Sequence, residues 1–217
     1  MATVAVHFAS LAASSSELEV FARVIDDQER ARAARFRFAN DRRRYIVRRA
    51  KLRQSLAILT GAAPEALRFY VSAHGKPELP HGPRFSLSHS ADRMMLATAD
   101  VDIGCDIERV DPAIDWRPLA EGLFAPAERR SLAGLPKAAA HDAFFACWAR
   151  KEAFVKAIGL GLSYPLDAFA VSVTQAAELI SGGTGWAISA SDAPTGYAAA
   201  VVARDDGQPF VLQPSHE

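Results

Sequence analysis

In the segment GCDIERV, residues 104–110 of this 217-residue chain, two carboxylates stand two positions apart. If the segment is a strand, Asp106 and Glu108 project from one face, because strand side chains alternate. Carboxylates held side by side repel. Magnesium is the usual remedy, since it takes oxygen ligands and binds one or two carboxylates together with phosphate oxygens. A solvated strand end accounts for the same pair without a metal. The neighbouring Ile103 and Cys105 favour the end of a buried strand.

A second group of reactive side chains lies in FFACWARKEAFVKAIGLGL, residues 144–162. On a helix, Trp148, Glu152 and Lys156 fall four apart and form one stripe. A plain Glu152–Lys156 surface pair fits that spacing and is worth about 0.3–0.5 kcal/mol. The apolar Phe144, Phe145, Phe154 and Ile158 leave little of the helix polar, so a partly buried Glu152 in need of a partner fits as well. In FSLSHSA, residues 85–91, Ser88, His89 and Ser90 cluster at a strand end. Adjacent strand side chains point to opposite faces and no G-x-S-x-G elbow is present, which argues against a hydrolase nucleophile. A charged histidine donating to a phosphate dianion suits the segment better. In RRRYIVRRAKLR, residues 42–53, Arg44, Arg48 and Lys51 share a helical face, with Arg30, Arg32, Arg35 and Arg37 just upstream. A solvated face, a nucleic-acid surface and a pocket for a multiply phosphorylated small ligand all remain open for it.

The elements that must position these groups follow from periodicity and breakers. Residues 3–8 read as a strand. Residues 16–59 read as helical, with breaks near Asp26 and Asn40, and Asn40 or Asp41 as the N-cap of a long helix ended by Gly61 and Pro64. Short strands follow at 67–72 and 85–88 around the loop HGKPELPHGP, then buried strands at 94–99 and 103–107. A second helical block spans 126–158, broken near Pro136 and closed by Gly159 and Gly161. Strands at 168–173, 185–189 and 197–202 complete the pattern, and the tail from Asp205 reads as loose. The order strand, helices, strands thus occurs twice, which is compatible with an α+β protein of two similar halves meeting near residue 100.

Composition narrows the function. Lys plus Arg and Asp plus Glu both number 25, and the formal net charge is zero, which argues against bulk nucleic-acid binding. Half the residues are hydrophobic, enough for a sizeable core. Cys105 and Cys147 lie in apolar runs without metal-ligand spacing and read as buried thiols in a reducing compartment. The opening MATVAVHFASLAASSSE has no basic stretch and reads as a strand and a polar loop rather than a leader. No apolar run is long enough to span a membrane, so a cytoplasmic location is expected.

Together and in this order, these motifs resemble the surfactin-type (Sfp-like) 4'-phosphopantetheinyl transferases. The resemblance covers residues 30–173 and rests on Gly75-Lys76-Pro77, Ser88-His89-Ser90, Gly104 to Glu108, Phe124 to Glu128, and Trp148 to Lys156 with Gly159, Gly161 and Leu162. It implies two similar α/β subdomains about a pseudo-twofold axis. Residues 1–100 would serve the 3'-phosphate and adenosine side of coenzyme A, and 101–217 the magnesium site and catalytic helix. It implies transfer of the 4'-phosphopantetheine of coenzyme A to a serine of an apo acyl or peptidyl carrier protein, leaving 3',5'-ADP. Asp106, Glu108 and Glu152 would hold magnesium. Glu152, directly or through water, would take the serine proton, with Asp106 and Lys156 also in the catalytic set and Lys156 on the pyrophosphate. His89, Arg44 and Arg32 would hold the 3'-phosphate. Lys76 and Pro77 would line the adenosine side, and Ser88 and Ser90 the ligand-facing strand end. By family analogy the protein is a monomer that engages neither nucleic acid nor membrane.

The chain departs from the pattern at Glu29, which stands where a basic phosphate contact is common, with Arg30 or Arg32 as a substitute. It departs also at Ala91, in place of a common glycine, and at Ala149, in place of a common hydroxyl residue. Glu128 fits either a substrate contact or a helix brace. The carrier is expected to dock along residues 119–135, where Leu119, Leu123 and Phe124 read as exposed. Two competing functions use the same residues: a magnesium-dependent phosphodiesterase or nuclease, and a non-catalytic coenzyme A or carrier-protein binding module.

Overall fold

The computed structural model describes residues 2–205 and 210–214. In chain order its elements are β1 (Thr3–Ser10), α1 (Ser15–Val24), α2 (Asp27–Ala34), α3 (Ala39–Thr60), β2 (Tyr70–Val71), β3 (Pro77–Glu78), β4 (Arg84–Ser90), β5 (Arg93–Ala99) and β6 (Ile103–Arg109). The second part continues with α4 (Arg117–Leu123), α5 (Pro126–Ala133), α6 (Lys137–Ile158), β7 (Ala170–Val171), β8 (Leu179–Ser181), β9 (Trp186–Ala190), β10 (Tyr197–Arg204) and β11 (Val211–Pro214). Helices and mostly antiparallel sheets are mixed, so the protein is α+β.

The same arrangement occurs twice. In the first sheet β5 lies between β1 and β4, antiparallel to both; in the second, β10 lies between β6 and β9, antiparallel to both. A 22-residue helix connects the first strand of each set to its hairpin, α3 in one and α6 in the other. Each helix stops on a glycine in the left-handed region, Gly61 at φ +71° and Gly159 at φ +72°, a conformation that costs other residues energy.

Side-chain alternation puts Val201 and Ala203 of β10 with Ile103, Cys105 and Ile107 of β6 against Val4, Val6 and Met95 of the first sheet. Ala200 and Val202, on the opposite face, pack under α6 with Phe154 and Val155. The second sheet is therefore covered on both faces. On the other side of the molecule α3 buries Val47, Leu52 and Leu56 against Phe85, Met94 and Leu96.

Several expectations are corrected here. The N-cap of α3 is Phe38, with no side-chain cap; its carbonyl already accepts the Arg42 N–H, so the helix starts before Asn40. The expected strand at 67–72 is reduced to Tyr70–Val71, and that at 168–173 to Ala170–Val171. Part of the tail is not loose. Val211–Pro214 pairs in parallel with residues 3–6 of β1, while 206–209 and 215–217 lie outside the described residues. Helix α4 carries proline and glycine in seven residues, too little pattern to announce it.

Candidate active site

Strand β6 and helix α6 approach so closely at Gly104 that only hydrogen fits there. A Cβ would lie 2.0 Å from the Ala153 carbonyl oxygen and 2.3 Å from the Ala157 nitrogen. Asp106 and Glu108, two and four positions on, occupy the same face of β6 as Gly104, opposite Ala200 and Ala198 of β10. Next to the Ala153 and Ala157 contacts, α6 carries Glu152 and Lys156, about one turn apart, to those carboxylates.

Lys156 donates from Nζ to Asp106 Oδ1 at 2.5 Å and to the Ser88 hydroxyl at 2.8 Å. Among the described residues no Glu152–Lys156 ion pair forms, so the simple surface-pair reading of their spacing does not hold. Burial alone would lower the pKa of Lys156, but the charge of Asp106, helped by Glu152, outweighs it and holds the group as an ammonium. Glu108 is raised to about 7, first by burial and then by Asp106 and Glu152. Burial and the Asp106 charge raise Glu152 in the same way. Three carboxylates thus converge, and the Asp106 charge hinders ionisation of the other two.

Strand β4 lines this cluster with serines at alternate positions. Ser88 donates to Asp106 Oδ1 at 2.6 Å and Ser90 to Glu108 Oε2 at 2.8 Å. Ser86 and Ser90 accept the backbone N–H groups of Cys105 and Arg109, both at 3.0 Å. The serines therefore form a polar seam between the two sheets and orient the carboxylates. Ser86 was not singled out from sequence; its signal is the period-two serine pattern of residues 86, 88 and 90.

These groups fit a magnesium ion. Among the described residues no three His, Cys, Asp or Glu side chains already close around a point as ligands. Yet Asp106, 2% exposed, leaves Oδ2 buried without a hydrogen-bond partner, and an unpaired carboxylate oxygen in that setting calls for a cation. The all-oxygen donor set matches the same ion.

A cationic region lies on the α3 side. Arginines there divide by partner. Arg30 is bound to Asp27 and backbone carbonyls, Arg43 to the Ala13 carbonyl, Arg49 to Glu29, and Arg53 to Asp26 and Glu29. Glu29, where a basic residue was looked for, is 6% exposed and ties α2 to α3. Lys51 leans over the Phe21 ring and leaves the cluster. Arg32, Arg44 and Arg48 have no carboxylate partner among the described residues. His89 stands at the mouth between the two regions. Although His89 is exposed overall, loss of solvent around the ring, and then the charges of Arg48, Lys156 and Arg44, lower its pKa to about 4. Without a bound anion the ring is therefore shifted towards its neutral form.

Lys76 and Pro77 line a 210 Å³ cavity together with Phe85, Lys156 and Gly159. The Lys76 ammonium donates to the Ile103 carbonyl at 2.8 Å, so it also staples its loop to β6. Glu128 braces the site from beneath. Its carboxylate, 1% exposed, accepts from Lys151 Nζ at 2.6 and 2.7 Å, from Ala125 N at 2.7 Å and from Val171 N at 2.8 Å. Lys151 also donates to the Phe169 carbonyl at 3.0 Å. Every charge in that network is satisfied, and the network fixes α6 one residue before Glu152. In the expected docking segment Leu119 is exposed, but Phe124 is 2% exposed and stacks on Phe144, so it is core and not surface.

Comparison with known proteins agrees with this geometry. A model of the 4'-phosphopantetheinyl transferase superfamily matches residues 102–202, and one of the 4'-phosphopantetheinyl transferase N-terminal region matches residues 10–101. Over 161 residues the chain is 33% identical to 4'-phosphopantetheinyl transferase psf-1 of Bacillus pumilus, covering 73% of this chain and 68% of that one. The chain belongs to the 4'-phosphopantetheinyl transferase superfamily. It is also 31% identical over 164 residues to the transferase Sfp of Bacillus subtilis strain 168, covering 75% and 72% of the two chains. With the transferase ffp of Bacillus subtilis it is 29% identical over 211 residues, covering 94% and 93%. The chain is thus an Sfp-like transferase, and membership favours phosphopantetheine transfer over phosphodiester cleavage or a non-catalytic binding role. Among its described residues no helix is long and apolar enough to cross a membrane.

Proposed function

We propose that the cleft between β4, β6 and α6 moves the 4'-phosphopantetheine of coenzyme A onto a serine of an apo acyl or peptidyl carrier protein. The observation that carries this reading is the convergence of Asp106, Glu108, Glu152 and Lys156, with Asp106 Oδ2 left unpaired. Asp106, Glu108 and Glu152 hold magnesium, which, when bound, offsets the charge on the pyrophosphate. Glu152, directly or through water, takes the proton of the carrier serine as general base. The serine oxygen bonds to the phosphorus that carries the pantetheine, and the electron pair of the broken P–O bond leaves on 3',5'-ADP. Lys156 steadies that developing charge, an electrostatic role typical of phosphoryl transfer.

The α3 arginines, together with the magnesium that the acidic cluster would hold, suit a ligand with two separated phosphate groups. The first half of the chain, residues 1–100, takes the 3'-phosphate through His89, Arg44 and Arg32, and the adenosine side through Lys76 and Pro77. The second half, 101–217, supplies the metal ligands and α6. Ser88 and Ser90 face the ligand while orienting Asp106 and Glu108. The protein acts as a cytoplasmic monomer and engages neither nucleic acid nor membrane.

Glu152→Gln tests the assignment, because it preserves shape and removes charge. Turnover at saturating magnesium should fall about 10²–10⁴-fold or more, with a much smaller change in coenzyme A affinity measured by calorimetry. Turnover within a few-fold of the parent would remove Glu152 from the chemistry.

A further inference from the structure

Arg48 is half-buried on α3, one turn beyond Arg44, and it has no hydrogen-bond or carboxylate partner among the described residues. Instead its guanidinium lies 5.6 Å from the centroid of the Tyr45 ring, and Arg32 of α2 lies 5.7 Å from the same centroid. Tyr45 is itself 5% exposed, so the ring is a fixed platform. Two guanidinium ions share one ring with no anion between them, and like charges so placed repel. A guanidinium that meets a ring instead of a carboxylate keeps its N–H donors unpaired, and two of them side by side match two oxygens of a phosphate.

We propose that Arg48 is a further arm of the 3'-phosphate clamp, held in place by the Tyr45 ring, and that it sets the preference for coenzyme A over 3'-dephospho-coenzyme A. This rests on the reading that the 3'-phosphate lies between α3 and His89. Arg48 acts on His89 more strongly than either Lys156 or Arg44 does, which places it nearest in effect to that imidazole. Its own pKa is lowered to about 10, by burial and then by the charge of Arg49, the mark of a cation that lacks its counterion. An arriving dianion would supply the counterion that Arg48 lacks.

Calorimetric titration of the full chain without magnesium, using coenzyme A and its 3'-dephospho form, tests the idea. Arg48→Ala should weaken coenzyme A binding by about 10–100-fold, the range for a charge-assisted contact, and leave dephospho-coenzyme A binding unchanged. That unchanged binding also shows that the variant is folded. Arg48→Lys should recover only part of the loss, because an ammonium cannot make the paired contact. Equal losses for both ligands, or no loss, overturn the role of Arg48. If Arg44→Ala and His89→Ala abolish the preference while Arg48→Ala does not, the clamp stands without Arg48. If none of the three alters the preference, the 3'-phosphate lies elsewhere.

Discussion

His89 is the residue whose behaviour the structure changes most. From sequence it is a cationic phosphate donor; in place, loss of solvent and three neighbouring cations shift it towards its neutral form, with a pKa of about 4. A phosphate dianion set among the same groups reverses the sign of the local field and favours the protonated ring. Coenzyme A binding near neutral pH should therefore take up a proton at His89. Above about pH 6.5 the 3'-phosphate is already a dianion, so only the imidazole then titrates in this contact. Proton uptake on binding means that affinity falls as pH rises. Calorimetry in two buffers of different ionisation enthalpy should show uptake for coenzyme A, and less for 3'-dephospho-coenzyme A or for His89→Ala. Identical uptake by both ligands would rule out the imidazole as its source. The charged residues were the most legible part of the site, because type and spacing marked Asp106, Glu108, Glu152 and Lys156 as candidates, although only the resemblance assigned them roles. Their partners were not. Ser88 reaches Asp106 across 18 positions and Glu128 reaches Lys151 across 23, and spacing says nothing about such distant pairs.

At the scale of elements, the site depends on how near α6 can come to β6. Gly104 permits that approach, and a methyl group there would collide with the backbone of Ala153 and Ala157, not with a side chain that could turn away. Gly104→Ala should push the helix off the strand. Overpacking of this kind costs about 1–3 kcal/mol or more, and a displacement near 1 Å at a reacting group costs about 10²-fold in rate. Urea unfolding and kcat should both fall by those amounts, whereas a variant equal to the parent in both would show that the contact is slack. Glu128 and Lys151 support the same geometry from below. A buried pair of this sort is no more stabilising than well-packed apolar residues, so its value lies in holding α6 and β7 in register. The long helices were legible from their apolar pattern and terminal glycines. β11 was not, because it pairs with β1 from the opposite end of the sequence, and its few residues carry no strand signal of their own.

For the whole molecule, the recurring arrangement of sheet and helix offers two distinct regions to the extended ligand proposed above. Each half contributes a sheet and a 22-residue helix, and the two sheets meet at the serine seam between β4 and β6. The unpaired arginines gather on the α3 side of that seam and the acidic cluster on the α6 side. Zero net charge conceals this division, since 25 acidic and 25 basic residues cancel only in the sum. On the proposed reading, the division suits a substrate with a 3'-phosphate at one end and a magnesium-bound pyrophosphate at the other. The most direct test is the intact mass of an apo carrier protein after incubation with this protein, coenzyme A and magnesium. The account predicts a gain of one phosphopantetheine on the carrier serine and one 3',5'-ADP released per carrier modified. A carrier whose mass stays unchanged, while the same preparation cleaves phosphodiesters or merely binds coenzyme A, would contradict it.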